Sequence, residues 1–199
     1  FVEDRGNLSK IVHQEKIYDD FKRENLLPNK LSQLGSGVSW GDVDGDGDDD
    51  IFVGGSKGFP STLYINKGKQ KFENKFQPVF INDLKYEDMG SVFFDPDRDG
   101  DLDLFVVSGG VECEPGDPIL QDRLYINDGN GNFGRAAEGL IPKLNESGSV
   151  VSVADINQDG RDDLFIGGRT VPGNYPSSPR SFILINSGAR FINETQKVA

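Results

Sequence analysis

The 199-residue sequence is poor in residues that cross-link proteins or bind soft metals, since it has one cysteine and one histidine. The lone Cys113 cannot form an intrachain disulfide, and we expect it to be a small buried hydrophobic residue. Zinc and softer transition metals usually take His and Cys ligands, so they are poor candidates. No apolar run approaches the roughly 20 residues that a membrane-spanning helix requires, so membrane insertion is not expected.

Basic residues are also scarce: 21 Lys and Arg stand against 33 Asp and Glu, for a net charge of −12. An excess of this sign repels phosphate backbones and anionic membrane surfaces, so no nucleic-acid partner is expected. The aspartates are concentrated in three windows, with six in 42–50, five in 95–103 and four in 155–163. Like charges this close repel one another unless a cation neutralises them, which indicates three metal-binding loops.

Glycine and proline, by contrast, are plentiful at 25 and 10 residues, and the hydrophobic share is 35%. This composition favours many short strands joined by tight turns, hence an all-β fold. One unit recurs three times in the same order: a short apolar strand, an aspartate loop, a strand ending in Gly-Gly, and a strand ending in Asn-x-Gly. The loops begin at Asp42, Asp95 and Asp155, a spacing typical of a four-stranded propeller blade.

The repeats predict a β-propeller fragment of about three four-stranded antiparallel blades, over 37–90, 91–146 and 147–199. Residues 1–36 are predicted to contain the end strand of a preceding blade, at 1–4, and an insertion between blades. The Asn-x-Gly turns should join the outer two strands of each blade. Three blades cannot close a ring, because propellers typically have four to eight, so we expect the remaining blades or another chain as partner.

The three loops share the pattern Asp-x-Asp/Asn-x-Asp-Gly-x-x-Asp with identical spacing. Oxygen ligands at alternate positions can converge on one ion, and the glycine permits the sharp bend that presents the seventh residue's carbonyl. The ninth residue closes a shell of six or seven oxygens, which fits Ca²⁺ better than octahedral Mg²⁺. An EF-hand is excluded because its twelfth position needs Glu, where this sequence has Val53, Val106 and Ile166.

We therefore predict Ca-binding hairpin loops that hold about three Ca²⁺ per chain. Asp48, Asp101 and Arg161 would contribute their backbone carbonyls, and the other ligands their side chains. The predicted ligands are Asp42, Asp44, Asp46, Asp48, Asp50, Asp95, Asp97, Asp99, Asp101, Asp103, Asp155, Asn157, Asp159, Arg161 and Asp163.

These motifs resemble the FG-GAP or VCBS repeats of integrin α-subunit-like β-propellers over nearly all of 37–195. The segments 120–127 and 167–176 are similar to large bacterial proteins related to cartilage acidic protein. The resemblance implies an exported, calcium-loaded propeller, located extracellularly, at the cell surface or in the periplasm. We expect the calcium to be mainly structural, because an ion bound to the folded state stabilises it by mass action. It also implies adhesion or the binding of a protein or glycan. Asn157 departs from the family's aspartate, and we expect it to weaken the third site.

The leading hypothesis is a binding module without enzymatic activity, because no acid–base constellation accompanies the loops. One alternative is a carbohydrate-active lyase or hydrolase on a propeller scaffold, since a fold does not dictate function. Another is a self-assembling structural subunit, in which three-blade arcs complete rings or a filament. Outside the loops, we expect His13 to have a surface or packing role, Arg123 to pair with acids, and Trp40 to lie in the core.

Overall fold

The computed structural model describes residues 11–69 and 71–198, and it is built on three four-stranded antiparallel sheets. Sheet 1 contains β1 (Val38–Gly41), β2 (Asp50–Val53), β3 (Thr62–Asn66) and β4 (Phe72–Lys75). Sheet 2 contains β5 (Asp88–Phe94), β6 (Asp103–Ser108), β7 (Arg123–Asn127) and β8 (Phe133–Arg135). Sheet 3 contains β9 (Ser147–Ala154), β10 (Asp163–Thr170), β11 (Phe182–Asn186) and β12 (Phe191–Asn193). The all-β fold of three four-stranded antiparallel blades is thereby confirmed.

Helices are few and short in the described residues. They are α1 (Asp20–Arg23), α2 (Pro78–Asn82), α3 (Thr195–Val198) and one 3-10 turn at Pro118–Leu120. Among these residues, none of the helices has the length and apolarity needed to cross a bilayer. The strand predicted at 1–4 lies outside the described residues. The bounds predicted for the leading segment, 1–36, and for the three blades, 37–90, 91–146 and 147–199, stay predictions.

The first strands of the three sheets lie side by side, with β5 in contact with both β1 and β9. Glycine makes this close approach feasible: a Cβ on Gly90 would lie only 2.9 Å from the Ser149 carbonyl oxygen. The sheets therefore radiate from a common line of inner strands, as blades do.

Two hydrophobic cores lie between successive sheets. The core between sheets 1 and 2 includes Phe52, Leu63, Leu104, Tyr125 and Phe80 of α2. The core between sheets 2 and 3 includes Phe94, Phe105, Leu124, Leu164 and Phe191. Since sheet 2 lies between the other two, all six positions of β6 are buried. Burial on both faces fits the uninterrupted apolar run of β6 in the sequence.

The two outward faces are more exposed than the inward ones. Trp40, which the sequence placed in the core, is 55% exposed and packs edge-on against Phe72, with ring centroids 6.2 Å apart. The reason is its position on the face of sheet 1 that points away from sheet 2. At the other end, Phe165 of sheet 3 is 41% exposed, although its repeat counterparts Phe52 and Phe105 are fully buried.

The segment 11–36 contacts all three sheets at the ends opposite the aspartate loops. The Ser56 hydroxyl donates to the Gln14 carbonyl at 2.6 Å, beyond the end of β2. Arg23 pairs with Glu114 at 2.8 Å, beyond the end of β6. Arg169 of β10 donates to the Leu31 carbonyl, and through its other nitrogen to a carbonyl that follows β6. One end of the molecule is thus tied together by this segment.

We expect Phe52→Ala to lower the free energy of unfolding by about 3 to 5 kcal/mol, because it leaves a cavity between sheets 1 and 2. The matched control is Phe165→Ala, which removes the same side chain from the equivalent but partly exposed position. Urea denaturation of dilute protein measures both. Equal losses for the two variants would contradict the assignment of the core.

Candidate metal centre

Each aspartate loop is the hairpin that joins the first two strands of a sheet, so the three loops lie at the same end of the molecule. The sixth residues Gly47, Gly100 and Gly160 have φ values of 91°, 95° and 82°, a conformation that non-glycine residues rarely adopt. Their N–H groups donate to the first aspartate of the same loop at 2.8, 3.1 and 2.8 Å. The first aspartate therefore shapes each bend even before any ion is considered.

The ninth aspartate of each loop is almost completely buried, with Asp50, Asp103 and Asp163 at most 1% exposed. Each accepts a backbone N–H from the Asn-x-Gly turn of its own sheet, at 2.8, 2.8 and 2.7 Å. In loops 1 and 3 the second carboxylate oxygen accepts the N–H of the second loop residue, at 3.0 and 2.9 Å. These carboxylates thus fasten the hairpin to the outer strands.

Loop 2 differs because its second residue is Pro96, which has no N–H to donate. The Asp103 Oδ2 atom is consequently buried without a hydrogen-bond partner in the described residues. Burial raises the pKa of Asp103 to about 7, against the hydrogen bond from Asn127, and the charges of Asp97 and Asp101 add to the rise. A buried carboxylate in this state lacks the positive partner that would keep it ionised.

Asp101 is the second unsatisfied group of loop 2. Its Oδ1 atom is buried and unpaired within the described residues. Burial, followed by the charge of Asp99, raises its pKa to about 6. The sequence predicted only the backbone carbonyl of Asp101 as a metal ligand. Its side-chain carboxylate is a further candidate ligand, which sequence reasoning missed.

Carboxylate oxygens converge in two of the three loops. In loop 1, one oxygen each from Asp42, Asp44 and Asp50 lies within 4.8 Å of the others. In loop 2, the same holds for Asp95, Asp97 and Asp99. Among the described acidic side chains, those of loop 3 form no comparable group of three.

Loop 1 already contains a cation in the form of Lys67, from the outer turn of sheet 1. The Lys67 ammonium lies 3.1 Å from Asp44 Oδ2 and 4.0 Å from Asp46 Oδ2. The hydrogen bond to Asp44 raises the pKa of Lys67, which keeps it charged. The other Asp44 oxygen is buried and unpaired in the described part of the chain. Sequence reasoning identified 66–68 only as a turn and missed this ammonium.

The negative charge of loop 3 is partly balanced by groups of the loop itself and by an arginine of loop 2. The Asn157 amide donates to Asp159 at 3.1 Å, and the Arg161 Nε lies 3.5 Å from the same carboxylate. Arg98 reaches over from loop 2 and donates to the Gly160 carbonyl. The backbone N–H of Arg161 is the largest of the contacts that lower the pKa of Asp159. Loop 3 therefore has less need of a metal ion than the other two.

Neighbouring blades hold each other's loops through asparagine side chains. The Asn127 amide of sheet 2 donates to the Val43 carbonyl in loop 1 at 2.8 Å. The Asn186 amide of sheet 3 donates in the same way to the Pro96 carbonyl in loop 2 at 2.8 Å. A signal for this role was present in the sequence, because the asparagine recurs at the end of the third strand in every repeat.

Comparison with known families matches the FG-GAP-like repeat at residues 42–106 and again at 95–166. The two matches together cover more than half of the chain and include all three loops. The chain belongs to the FG-GAP-like repeat family.

Among solved structures, this FG-GAP-like chain is similar to a lectin from Agrocybe aegerita that is described as specifically recognising non-reducing terminal N-acetylglucosamine. The identity is 20% and the TM-score 0.47, over 77% of this chain and 36% of the lectin chain. The chain thus spans about a third of the length of that lectin, and a similarity at this level carries no argument about function. No curated protein matches the sequence.

Away from the loops, the FG-GAP-like chain has a groove of about 730 Å³ between the outer strands of sheets 2 and 3. Tyr86, Ile141 and Phe191 contribute to its lining, with Arg135 and Arg190 among its polar groups. Asp122 also borders it, but its carboxylate is 3% exposed and accepts the Ser108 N–H at 2.9 Å. Burial raises the pKa of Asp122 to about 7, and the hydrogen bond accounts for its position between β6 and β7.

The remaining residues singled out from the sequence have structural roles. Arg123 is buried, forms an ion pair with Asp88 and lies 4.3 Å from the centre of the Tyr86 ring. This confirms the expected pairing with an acid. Cys113 is buried, as expected. His13 is half-buried and bonds to the Gly54 carbonyl at 3.1 Å and to Glu15 at 2.8 Å.

We expect Pro96→Ala to lower the pKa of Asp103, because alanine supplies the N–H that Val43 and Ile156 donate in the other loops. A raised carboxyl pKa means that the folded state binds its proton more tightly than the unfolded state, so stability falls as pH rises towards 7. This fall should be smaller in the variant. Carboxyl NMR titration in cation-free buffer measures the pKa, and denaturation at pH 5 and pH 8 measures the stability.

The variant keeps the carbonyl that Asn186 contacts, so the packing of sheet 3 serves as an internal control. An unchanged Asp103 titration in a folded variant would show that the missing N–H is not the reason for the unsatisfied oxygen.

Proposed function

We propose that this chain is a calcium-binding, non-catalytic binding module of the propeller type. The observation that carries the proposal is loop 2, where two buried carboxylate oxygens, on Asp101 and Asp103, have no partner among the described residues. Their raised pKa values reflect burial first, and the charges of neighbouring aspartates in the same loop add to the rise. A divalent cation would offset both the cost of burying these unpaired oxygens and the repulsion between the carboxylates.

The donor set agrees with calcium. Loops 1 and 2 offer carboxylate oxygens from three side chains each, within 4.8 Å of one another: Asp42, Asp44 and Asp50 in loop 1, and Asp95, Asp97 and Asp99 in loop 2. Calcium takes six to eight oxygen ligands in flexible geometry, whereas magnesium requires a near-ideal octahedron and retains several waters. The ligands proposed for loops 1 and 2 are Asp42, Asp44, Asp46, Asp50, Asp95, Asp97, Asp99, Asp101 and Asp103, with the Asp48 carbonyl.

The same ligand positions in loop 3 are Asp155, Asn157, Asp159, Asp163 and the Arg161 carbonyl. Two guanidinium groups, of Arg98 and Arg161, already lie beside this loop and supply part of the positive charge. We therefore propose unequal sites, with loop 2 the strongest, loop 1 reduced by Lys67 and loop 3 the weakest.

Calcium would act mainly on stability. The loops connect the inner strands, and the ninth aspartates link those hairpins to the outer turns, so an ion bound there ties all four strands of a sheet together. An ion that binds only the folded state stabilises it by about 2.7 kcal/mol at a free concentration one hundred times Kd.

We further propose that the module serves adhesion or the binding of a protein or glycan in an exported protein. FG-GAP repeats occur in extracellular proteins, where calcium at millimolar concentration would keep weak sites filled. The groove between sheets 2 and 3 is the concave surface where such a ligand would find apolar contacts together with guanidinium groups. The ligand-binding role would be tested by screening glycan and protein arrays with the calcium-loaded chain.

Calcium titration of the chain tests the metal sites. We expect heat in calorimetry, and a rise in melting temperature of about 5 °C or more at saturating calcium. The amide NMR signals of Gly47, Gly100 and Gly160 report the loops one by one, since each N–H contacts the first aspartate of its loop. We expect the Gly100 signal to shift at the lowest calcium concentration and the Gly160 signal at the highest.

Asp97→Asn is the test variant for loop 2, and Glu138→Gln, which removes the same charge from an exposed side chain, is its control. Asp97→Asn should abolish the calcium-dependent shift of the Gly100 amide signal alone. Glu138→Gln should leave the shifts of all three glycine signals as in the wild type. Absence of heat, thermal shift and amide shifts in millimolar calcium would refute the proposed metal sites.

We expect Lys67→Ala to tighten calcium binding in loop 1 by about 2- to 5-fold, because it removes an ammonium that competes for Asp44 and whose exposed ion pair is weak. Lys69→Ala, in the same turn, removes an equal charge from an exposed residue and should have a smaller effect. The Gly47 amide titration measures both variants. A weaker loop 1 in Lys67→Ala would show that the lysine supports the site rather than competing for it.

A further inference from the structure

The groove between the outer strands of sheets 2 and 3 is held in shape by hydrogen bonds on both sides. Much of its lining comes from the connection 136–145, which leads from sheet 2 to sheet 3. The Gln121 amide donates to the Pro142 carbonyl at 3.1 Å, and its side-chain oxygen accepts a backbone N–H of the same connection at 3.2 Å. The Phe191 N–H donates to the Leu140 carbonyl at 2.7 Å and fastens the connection to sheet 3. A surface ordered in advance loses less entropy when a ligand binds.

The groove lies within one pair of neighbouring sheets. Its lining residues all fall between Tyr86 and Asn193, and its volume of about 730 Å³ is in the range of known ligand sites. Sheets 2 and 3 meet in the core that includes Phe105 and Leu164. The groove therefore includes neither the outward face of sheet 1 nor that of sheet 3, and its shape does not depend on what packs against those faces.

The outer edge of β12 borders the groove, because Phe191, Ile192 and Asn193 are all among its lining residues. In the described part of the chain, β12 pairs with β11 alone. Alternate residues of an antiparallel strand direct their N–H groups to the same side, and the Phe191 N–H already points away from β11, to Leu140. The Asn193 N–H therefore points outward as well, and no described backbone carbonyl accepts it. Such an edge is a template for a further strand.

Cations outnumber acids among the charged side chains of the groove, in a chain whose net charge is −12. The three cations are Arg135, Lys143 and Arg190. Arg135 is already paired with an acid outside the groove, and Lys143 lies 3.6 Å from the exposed Glu138. The other acid, Asp122, is buried, and burial raises its pKa to about 7. Arg190 is exposed directly before β12 and pairs with none of the described acids, so it is available to an anionic ligand.

The hydrophobic contacts that the groove offers are aliphatic. Tyr86 and Phe191 are the two aromatic residues of its lining, and they are only 8% and 5% exposed. Neither ring presents an open face on which a sugar could stack. Ile141 is half-buried and Ile192 is 36% exposed, so a ligand meets aliphatic side chains. A peptide with apolar side chains matches this surface better than a sugar ring does.

From these observations we infer that the groove binds an extended acidic peptide of a partner protein, which adds a strand to the outer edge of β12. A carbonyl of the peptide would accept the Asn193 N–H, and a carboxylate would pair with Arg190. An apolar side chain of the peptide would contact Ile141 and Ile192. The inference rests on the ligand-binding role proposed above and names its ligand. The groove contains none of the loop aspartates, so the peptide should bind with or without calcium.

The probes are three acetylated and amidated hexapeptides in which glutamate alternates with valine, leucine or phenylalanine. Calorimetry measures their affinity, and amide hydrogen exchange reports the edge of β12. We expect at least one of them to bind with a Kd below about 1 mM and to slow the exchange of the Asn193 amide. The matched peptides, with lysine in place of glutamate or serine in place of the apolar residue, should bind at least about tenfold more weakly, a difference of about 1.4 kcal/mol.

Two variants test the contacts from the side of the protein. Arg190→Gln should weaken binding by about 2- to 5-fold, as expected for an exposed ion pair. Lys22→Gln, which removes the same charge from an exposed residue of α1, is its control and should bind like the wild type. Ala137→Trp fills the groove from an exposed position, so it should abolish binding without lowering the melting temperature.

Parallel titrations in chelator and in millimolar calcium separate this inference from the proposed metal sites. Peptide binding in chelator would support the inference even if the chain bound no calcium. Failure of all three acidic peptides to bind at about 1 mM would overturn it, whatever the calcium titration shows. Equal affinity for the lysine peptide, or unchanged binding in Ala137→Trp, would overturn it too. Binding of oligogalacturonate, an anionic glycan, in place of the peptides would assign the groove to a glycan and leave only the broader ligand-binding role.

Discussion

The rest of the structure depends on a buried carboxylate at the ninth position of every loop. Asp50, Asp103 and Asp163 lie where the inner hairpin meets the outer turn, and each accepts a backbone N–H from that turn. A charge with so little solvent is costly unless it is hydrogen-bonded or paired. Hydrogen bonds meet this need in loops 1 and 3, whereas in loop 2 a proline leaves it partly unmet.

The same groups connect the loops to the cores. Asn127 donates to the peptide group of Val43, whose N–H in turn donates to Asp50. Val43 is itself part of the core between sheets 1 and 2. The position of a loop therefore depends on the next sheet being in place, and the three hairpins are parts of one packed structure. Each repeat is therefore held by its contacts with the neighbouring repeat as well as by those within its own sheet.

Much of the fold could be predicted because its signals are local. Asn-x-Gly marks the end of the third strand in every repeat, and Gly-Gly marks the end of the second strand in the first two repeats. In the third repeat, β10 continues through Gly167 and Gly168 to Thr170. The environment of Trp40 could not be predicted in the same way. Burial depends on which sheet faces a side chain, and sequence periodicity gives the same result for an inward and an outward face.

The loop pattern likewise identified the aspartates but not the differences between the loops. The identical spacing of the three loops gave no sign of the effect of Pro96. This proline removes a hydrogen bond to Asp103 and changes no predicted metal ligand. Lys67 and Arg98 are distant in sequence from the carboxylate or carbonyl they contact, by 23 and 62 residues. Only the folded chain brings such counter-charges to the site. The sequence-based expectation of three equivalent calcium sites, apart from Asn157, therefore gives way to a proposal of graded ones.

All three aspartate loops lie at one end of the sheets, while the segment 11–36 lies across the other. The molecule consequently has a strong electric dipole along the line of its inner strands, with the negative pole at the loops. Near a negatively charged surface, such a molecule would turn its loop-free end towards that surface. Divalent cations taken up by the loops would shrink the dipole, so ionic conditions would govern how the molecule is oriented as well as how firmly it is folded.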